Sequence, residues 1–345
     1  MIGDSEEPLV RALASRWLAE RPVSAIESLT VPGAFSGARI WRIVAGDAAY
    51  ALRRWPSTNP GRARIEAVHR FLRHVGQRGV QFTPQPVSTM HGGTTWEQAG
   101  ALWHLETWRP GEPDLSEPSD EPLRQAAAAL AQLHLAAATG APLDEQGRGA
   151  RNGTSPTLAE RAALAERLLR GELSEIATAG WPAAAPQQRE AALVALGQVR
   201  RLLPEVVRQL HPWLRRELPL AWRHGDPRRE HFLYAAGQVA GLVDFGAASV
   251  DALAADTARL LESWCGADRE RWHVGQAAYE AVRPLESAEQ DSLEPLRTSG
   301  LVLAAARWLR WLGPASGRFS GAAAQPGWRR LGRLTERLAA LPTQF

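Results

Sequence analysis

HGDPRREHFLYAAGQVAGLVDFG, residues 224–246, is the stretch on which the fold turns. Two short β-prone runs, His231–Tyr234 and Val239–Val243, flank Ala-Ala-Gly-Gln, a composition suited to a tight hairpin. Asp226 lies just before the first run and Asp244 just after the second. Closing the hairpin therefore brings both carboxylates to its open end, within reach of each other. His231 starts the first strand, opposite Val243–Asp244, and His224 lies slightly upstream. Two close carboxylates suit cation binding, or one carboxylate acting as a base beside a metal held by the other. A pair of ordinary turn aspartates is the alternative at this level.

Working outward, residues 6–20 read as an amphipathic helix with Leu9, Leu13, Trp17 and Leu18 in helical register. Three short strands follow at Ile26–Val31, Arg39–Val44 and Ala48–Trp55, separated by Gly-containing turns. A helix is expected at about 60–77, with Ile65, Val68, Phe71, Leu72 and Val75 on one face. Two further strands, Gln85–Met90 and Ala101–Trp108, are split by HGGTT. Past Pro110-Gly111 the chain turns Ala/Leu-rich, with helices near 121–138, 157–171, 186–216, 252–264, 269–281, 289–313 and 327–341. The Gly/Pro/polar stretch 139–156 reads as a loop. The expectation is an α+β chain: a small β-rich lobe over 1–107, a hinge near 106–112, and a larger, mostly α-helical lobe over 108–345.

A chain of 345 residues can build two packed domains. With 45% hydrophobic and 22% charged residues the balance is that of a folded protein. The net charge is only +3, from 40 cations against 37 anions, and all 40 cations are Arg because there is no Lys. Those Arg residues are spread along the chain, so no nucleic acid is expected as partner. The single cysteine, Cys265, fits a reducing compartment. The acidic start MIGDSEEPLV lacks the basic and apolar regions of a signal peptide, and no apolar run reaches the roughly 18 residues of a spanning helix. A cytoplasmic protein with no membrane partner is the expectation.

The span HGDPRREHFLY-x4-VAGLVDFG resembles the catalytic signature of aminoglycoside phosphotransferases and related choline and homoserine-type kinases, H-G-D-x4-N followed by a hairpin and I/V-D-x-G/E. These enzymes share the bilobal fold of protein kinases. PGAFSGARIWRI is similar to their nucleotide-covering loop and YALRRW to their third strand. IEAVHRFLRHVGQRGV with PQPV resembles the following helix and turn, LWHLETWRPGE the hinge, and AAALAQLH a helix of the second lobe. VDALAADTARLL places Asp256 where the family starts a helix with an acidic residue.

The resemblance implies an ATP-dependent kinase acting on a hydroxyl of a small molecule, with Mg²⁺. In that scheme Asp226 accepts or orients the hydroxyl proton and Asp244 ligates the metal. Ser36 and the amides around Gly37 contact phosphate oxygens, Arg53 reaches the α/β-phosphates with Glu66 holding it, and backbone groups at Glu106–Trp108 meet the adenine. Two positions depart from the family pattern. Arg53 stands where the family has Lys, and keeps a permanent, bidentate phosphate grip. His231 stands where the family has Asn, and imidazole nitrogen suits Mn²⁺ better than Mg²⁺. A slight Arg excess over Glu at 158–218 argues against a polycationic acceptor, although GEPDLSEPSDE beside the hinge is acidic; a hydroxylated metabolite or sugar is expected. The competing readings are a nucleotide-binding pseudokinase, or a metal-dependent hydrolase using His224, Asp226, His231 and Asp244.

Overall fold

The computed structural model describes residues 6–19, 21–29, 38–56, 61–316, 319 and 324–341. The chain gathers into two compact units, residues 1–150 with 221–250 and residues 151–220 with 251–345. Residues 108–150 and 221–250, the hairpin among them, fall with residues 1–107 in the first unit.

In the first unit, α1 (Glu7–Leu18) precedes three antiparallel strands, β1 (Val23–Leu29), β2 (Arg39–Ala45) and β3 (Ala48–Pro56). After α2 (Arg62–Gln77) come β4 (Thr95–Gln98) and β5 (Ala101–Thr107), completing a five-stranded sheet in the order β1-β2-β3-β5-β4. Alternation along β3 and β5 separates two faces. One face buries Tyr50, Leu52, Trp103 and Leu105 with Val10, Leu13 and Trp17 of α1, and Trp41 stacks on Trp103 at 5.5 Å. Each such aromatic removes about 150–250 Å² from water, worth about 4–6 kcal/mol in transfer terms. On the opposite face Trp55 and Leu102 pack with Ile65 of α2. Arg53 and His104, directly paired across the strands, belong to this face, while Arg54 lies over Trp103 on the other.

The apolar stripe expected for α2 is buried in full. The strand expected at Gln85–Met90 is not formed. Pro86 has no N–H to give a ladder, and the segment makes one bridge to Glu106 with flanking bonds Val87 N–H to Leu105 O and Thr107 N–H to Gln85 O. The partner of β5 is instead β4, joined through Ala99-Gly100, both at positive φ.

Beyond β5 the first unit continues with β6 (Glu112–Pro113) and α3 (Asp120–Ala138). The second unit takes up β7 (Arg151–Gly153), α4 (Pro156–Arg167), α5 (Leu173–Ala179) and α6 (Pro186–Leu210), ahead of β8 (Leu218–Arg223), whose Leu218–Leu220 pairs with β7. Neither β7 nor β8 was expected from the sequence. The hairpin follows as β9 (Phe232–Ala235) and β10 (Gln238–Leu242), turning at Ala236-Gly237 with φ of 48° and 74°, the two-residue geometry that matches strand twist. β6 pairs with β9, and Leu242 N–H donates to Phe82 O at 2.8 Å, so the hairpin packs with the first unit.

β11 (Ser249–Ala252), α7 (Leu253–Cys265), α8 (Arg269–Glu280), α9 (Ser287–Leu312) and α10 (Gln325–Ala339) complete the chain. The second unit is held by α6, α7, α9 and α10 around Leu196, Leu203, Leu261, Val302, Leu309 and Leu334. Its Asp251 is buried and fully engaged: it accepts from Ser155 Oγ, Thr157 N and Oγ1, and Ala252 N at 2.6–2.9 Å. Cys265 is buried, and Asp256 is buried in the first turn of α7. Among the described residues no helix is long and apolar enough to cross a membrane.

Candidate active site

The site is assembled from the two ends of the β9–β10 hairpin and from β3 and β5, all within the first unit. Gly225 has φ +91°, and a Cβ there would meet Ala247 O at 2.2 Å. Only glycine fits, and it turns the chain so that Asp226 follows. His224 fixes this turn by donating from Nε2 to Val243 O at 2.8 Å and accepting the Asp226 amide at Nδ1, 3.2 Å away. Asp244 has φ +68°, a left-handed conformation that costs a non-glycine residue about 1–2 kcal/mol and is typical of functional positions.

His231 Nδ1 donates to the Asp226 carbonyl oxygen at 2.7 Å, which leaves Nε2 as the acceptor nitrogen. That nitrogen accepts from Arg228 Nη2 at 3.3 Å and lies 3.8 Å from Asp244 Oδ2. Burial, with His224 and Arg228 nearby, holds the imidazole below its ordinary pKa and hence neutral. Arg228 Nε pairs with Asp226 Oδ2 at 2.9 Å, and Arg53 Nη1 donates to Asp244 Oδ1 at 3.0 Å. Burial pushes the Asp244 carboxyl up, but its charged surroundings, the Arg53 guanidinium first among them, outweigh it and hold it below the usual carboxylate range. Asp226, Arg228, His231, Asp244 and Arg53 thus form one continuous polar ladder. Asp244 remains 47% exposed, open to a cation.

Arg53 ends that ladder in a buried position, 8% exposed, with its guanidinium over Trp55 at 5.2 Å. Its second carboxylate neighbour is Glu106, 3.9 Å away. Glu66, expected to hold Arg53, does not. It accepts from Thr95 Oγ1 at 2.8 Å and faces Arg62 at 3.8 Å, because its turn of α2 is directed to β4. At the expected hinge, Thr107 N–H donates to Gln85 O and Trp108 N–H to Ala49 O at 3.0 Å, so both amides are satisfied within the sheet. Ser36 and Gly37 lie outside the described residues.

Three groups near the site were not singled out from the sequence. Arg228 sat inside the quoted motif, where its proximity to Asp226 was the available signal. Arg64 donates to Ala248 O at 3.0 Å and pairs with Glu145 at 3.0 Å, tying the loop after Asp244 to α2. Behind Arg53 lies a cavity of about 30 Å³, room for one or two waters, lined by Trp55, Val68, His69, His104, Glu106 and Phe245 among others. There His69 bonds Thr94 Oγ1 at 2.8 Å and His104 Nδ1 at 2.6 Å, while His104 Nε2 is buried with no partner among the described residues.

No group of three or more His, Cys, Asp or Glu side chains poised for a metal occurs among the described residues. Asp244 Oδ2 and His231 Nε2 lie 3.8 Å apart, with Nε2 also accepting from Arg228 Nη2 at 3.3 Å, a bond that a cation there would replace. That donor set fits a cation whose remaining ligands come from phosphate and water.

The chain matches the model of a family described as "Phosphotransferase enzyme family" over residues 29–296. The homoserine kinase of Xanthobacter autotrophicus is 29% identical over 254 residues, 72% of this chain and 70% of that protein. The homoserine kinase of Methylobacterium radiotolerans is 28% identical over 249 residues, 70% and 68% of the two chains. Among solved structures, a spectinomycin phosphotransferase with ADP and spectinomycin superposes with a TM-score of 0.69 at 12% identity, covering 97% of each chain. An amicoumacin kinase with AMP-PNP and Ca²⁺ superposes with a TM-score of 0.67 at 15% identity, covering 98% of this chain and 95% of that one. At these identities the likeness is one of fold, bilobal and kinase-like, as the sequence motifs implied.

Proposed function

From the fact that this chain belongs to the phosphotransferase enzyme family, we propose that it moves the γ-phosphoryl group of ATP to a hydroxyl of a small molecule, with Asp226 as base and Asp244 as cation ligand. The observation that carries this reading is the ladder from Asp226 through Arg228 and His231 to Asp244 and Arg53. Phosphoryl transfer depends on positioning and charge neutralisation more than on covalent chemistry. Asp226 would accept or orient the acceptor hydroxyl proton, its own charge steadied by Arg228. Asp244, held anionic and partly exposed, and neutral His231 would hold a divalent cation, Mg²⁺ or by preference Mn²⁺. When bound, the cation neutralises charge on the nucleotide phosphates. Arg53 would grip the α/β-phosphates, and Ser36 with the amides near Gly37 would contact phosphate oxygens.

The purine would lie against Glu106–Trp108 and use carbonyl oxygens there, since the Thr107 and Trp108 amides are already committed. In this reading residues 1–107 serve the nucleotide, and 108–345 supply the catalytic aspartates and the acceptor site. The relatives named homoserine kinases make a small amino alcohol the first acceptor to try. The Arg excess at 158–218 supports the same choice, because it disfavours a polycation and suits a carboxylate-bearing substrate.

The test is ADP release from MgATP and MgGTP across an acceptor panel of homoserine, an amino alcohol lacking the carboxylate, a hexose and an aminoglycoside. Acceptor-dependent turnover that falls about 100-fold or more in Asp226→Asn is the expected result. Turnover unchanged in Asp226→Asn, nucleotide binding with no turnover for any acceptor, or tight Zn²⁺ binding without nucleotide binding would each refute it.

A further inference from the structure

Arg53 is a permanent charge in a buried place, and such a charge needs a carboxylate that stays with it. Two are in reach. Asp244, at 3.0 Å, is 47% exposed and is the residue proposed to hold the cation. Glu106, at 3.9 Å, is 12% exposed, and Arg53 is its only cationic partner within 4 Å among the described residues. A cation at Asp244, whose Oδ1 takes Arg53 and whose Oδ2 faces His231, competes with Arg53 for the charge of one carboxylate. Once that competition is won, Glu106 is the one protein carboxylate left within 4 Å of Arg53 among the described residues. Glu66 is not available, being occupied by Thr95 and Arg62.

We propose that Glu106 is the positioning residue of the phosphate-binding arginine, holding Arg53 in place when Asp244 turns to its cation. The inference rests on the reading of Arg53 as a phosphate ligand given above. Glu106 is well built for the task. Its strand pairs with β3 at Ala51 on one side and meets the Pro86 segment on the other, with Val87 N–H to Leu105 O at 2.8 Å and Thr107 N–H to Gln85 O at 2.9 Å. The anchor is therefore part of the sheet that carries Arg53. It does not ride on α2. Glu106 also shares the guanidinium charge, which weakens the hold of Arg53 on Asp244 and eases the entry of a cation. Removing the Glu106 charge leaves Arg53 wholly to Asp244, so a single change impairs both phosphate and cation binding.

Isothermal titration with MgADP, on wild type and variants checked for folding by circular dichroism, tests this without an acceptor. Glu106→Gln is expected to weaken binding about tenfold, and Glu106→Asp, which keeps the charge, to stay within about threefold of wild type. In an Arg53→Met background the same Glu106→Gln change should cost less than about twofold, because the residue acts through Arg53. Glu66→Gln should weaken binding less than Glu106→Gln. An equal loss from Glu106→Gln in both backgrounds would make the residue merely structural and overturn the proposal, as would a larger loss from Glu66→Gln. Should the neutral variants melt early, a Glu106→Asp protein that loses as much binding as one lacking Arg53 overturns it as well. Failure of the wild type to bind MgADP would instead overturn the nucleotide-site reading beneath it.

Discussion

An alanine at residue 225 has to place its Cβ 2.2 Å from Ala247 O with the backbone at φ +91°. Two costs follow. The left-handed backbone costs a non-glycine residue about 1–2 kcal/mol. Real Cβ atoms stay beyond 3.0 Å, so the contact also demands a shift of 3.0 − 2.2 = 0.8 Å. Loop 246–248 yields poorly, because Arg64 Nη2 holds Ala248 O at 3.0 Å and Ala248 N–H donates to Phe245 O at 3.0 Å. Overpacking of this kind costs about 1–3 kcal/mol. The sum for Gly225→Ala is about 2–5 kcal/mol. Gly46→Ala is the control, since its φ is +58° and nothing lies within 4 Å of the added methyl. It should lose only the backbone cost of about 1–2 kcal/mol. Urea unfolding followed by circular dichroism separates the two. Equal midpoints for Gly225→Ala and Gly46→Ala would refute the claim that the Ala247 carbonyl excludes a side chain there.

Replacing His231 by Asn should shift cation preference from Mn²⁺ towards Mg²⁺ by about tenfold in the ratio of half-saturating concentrations, read in nucleotide titrations with each metal; equal Mg²⁺ dependence in wild type and variant would count against a metal role for the imidazole. The His69–His104 pair gives a pH dependence of stability. Burial, then Arg73 and Arg53, depress the His69 pKa from its ordinary 6.5 to about 3, so the folded state keeps it neutral while the unfolded chain takes up a proton. Stability should therefore fall as pH drops from 6.5 towards 3, by about 1.4 kcal/mol per pH unit for this group. His69→Gln should flatten the slope of urea stability against pH by that amount, and parallel slopes would exclude the assignment.

The hairpin and its two aspartates were legible because turn chemistry and flanking β-branched or aromatic runs are local signals, and the observed strands differ from the expected ones by a residue at either end. The α2 stripe was legible for the same reason: every residue assigned to its buried face is buried. Local signals failed where tertiary partners decide. Gln85–Met90 has strand-like residues, yet Pro86 and the place taken by β4 leave it one bridge. β7 is three residues long and exists only through its pairing with Leu218–Leu220. Glu106 was missed as a charge partner of Arg53 because the family resemblance pointed to Glu66 on the following helix, while the register of β3 on β5 brings up Glu106. Arg228 stood in the quoted motif, but which of its neighbours it would grip depends on side-chain directions that no spacing rule fixes.

Arg64 has a mechanical meaning beyond its three hydrogen bonds. One guanidinium, rooted in α2, grips the main chain just past Asp244 and also the Glu145 carboxylate. Helix and loop are thereby stapled into a single lever. A tilt of α2 would therefore be felt in the main chain two to four residues past Asp244, the aspartate proposed to hold the cation.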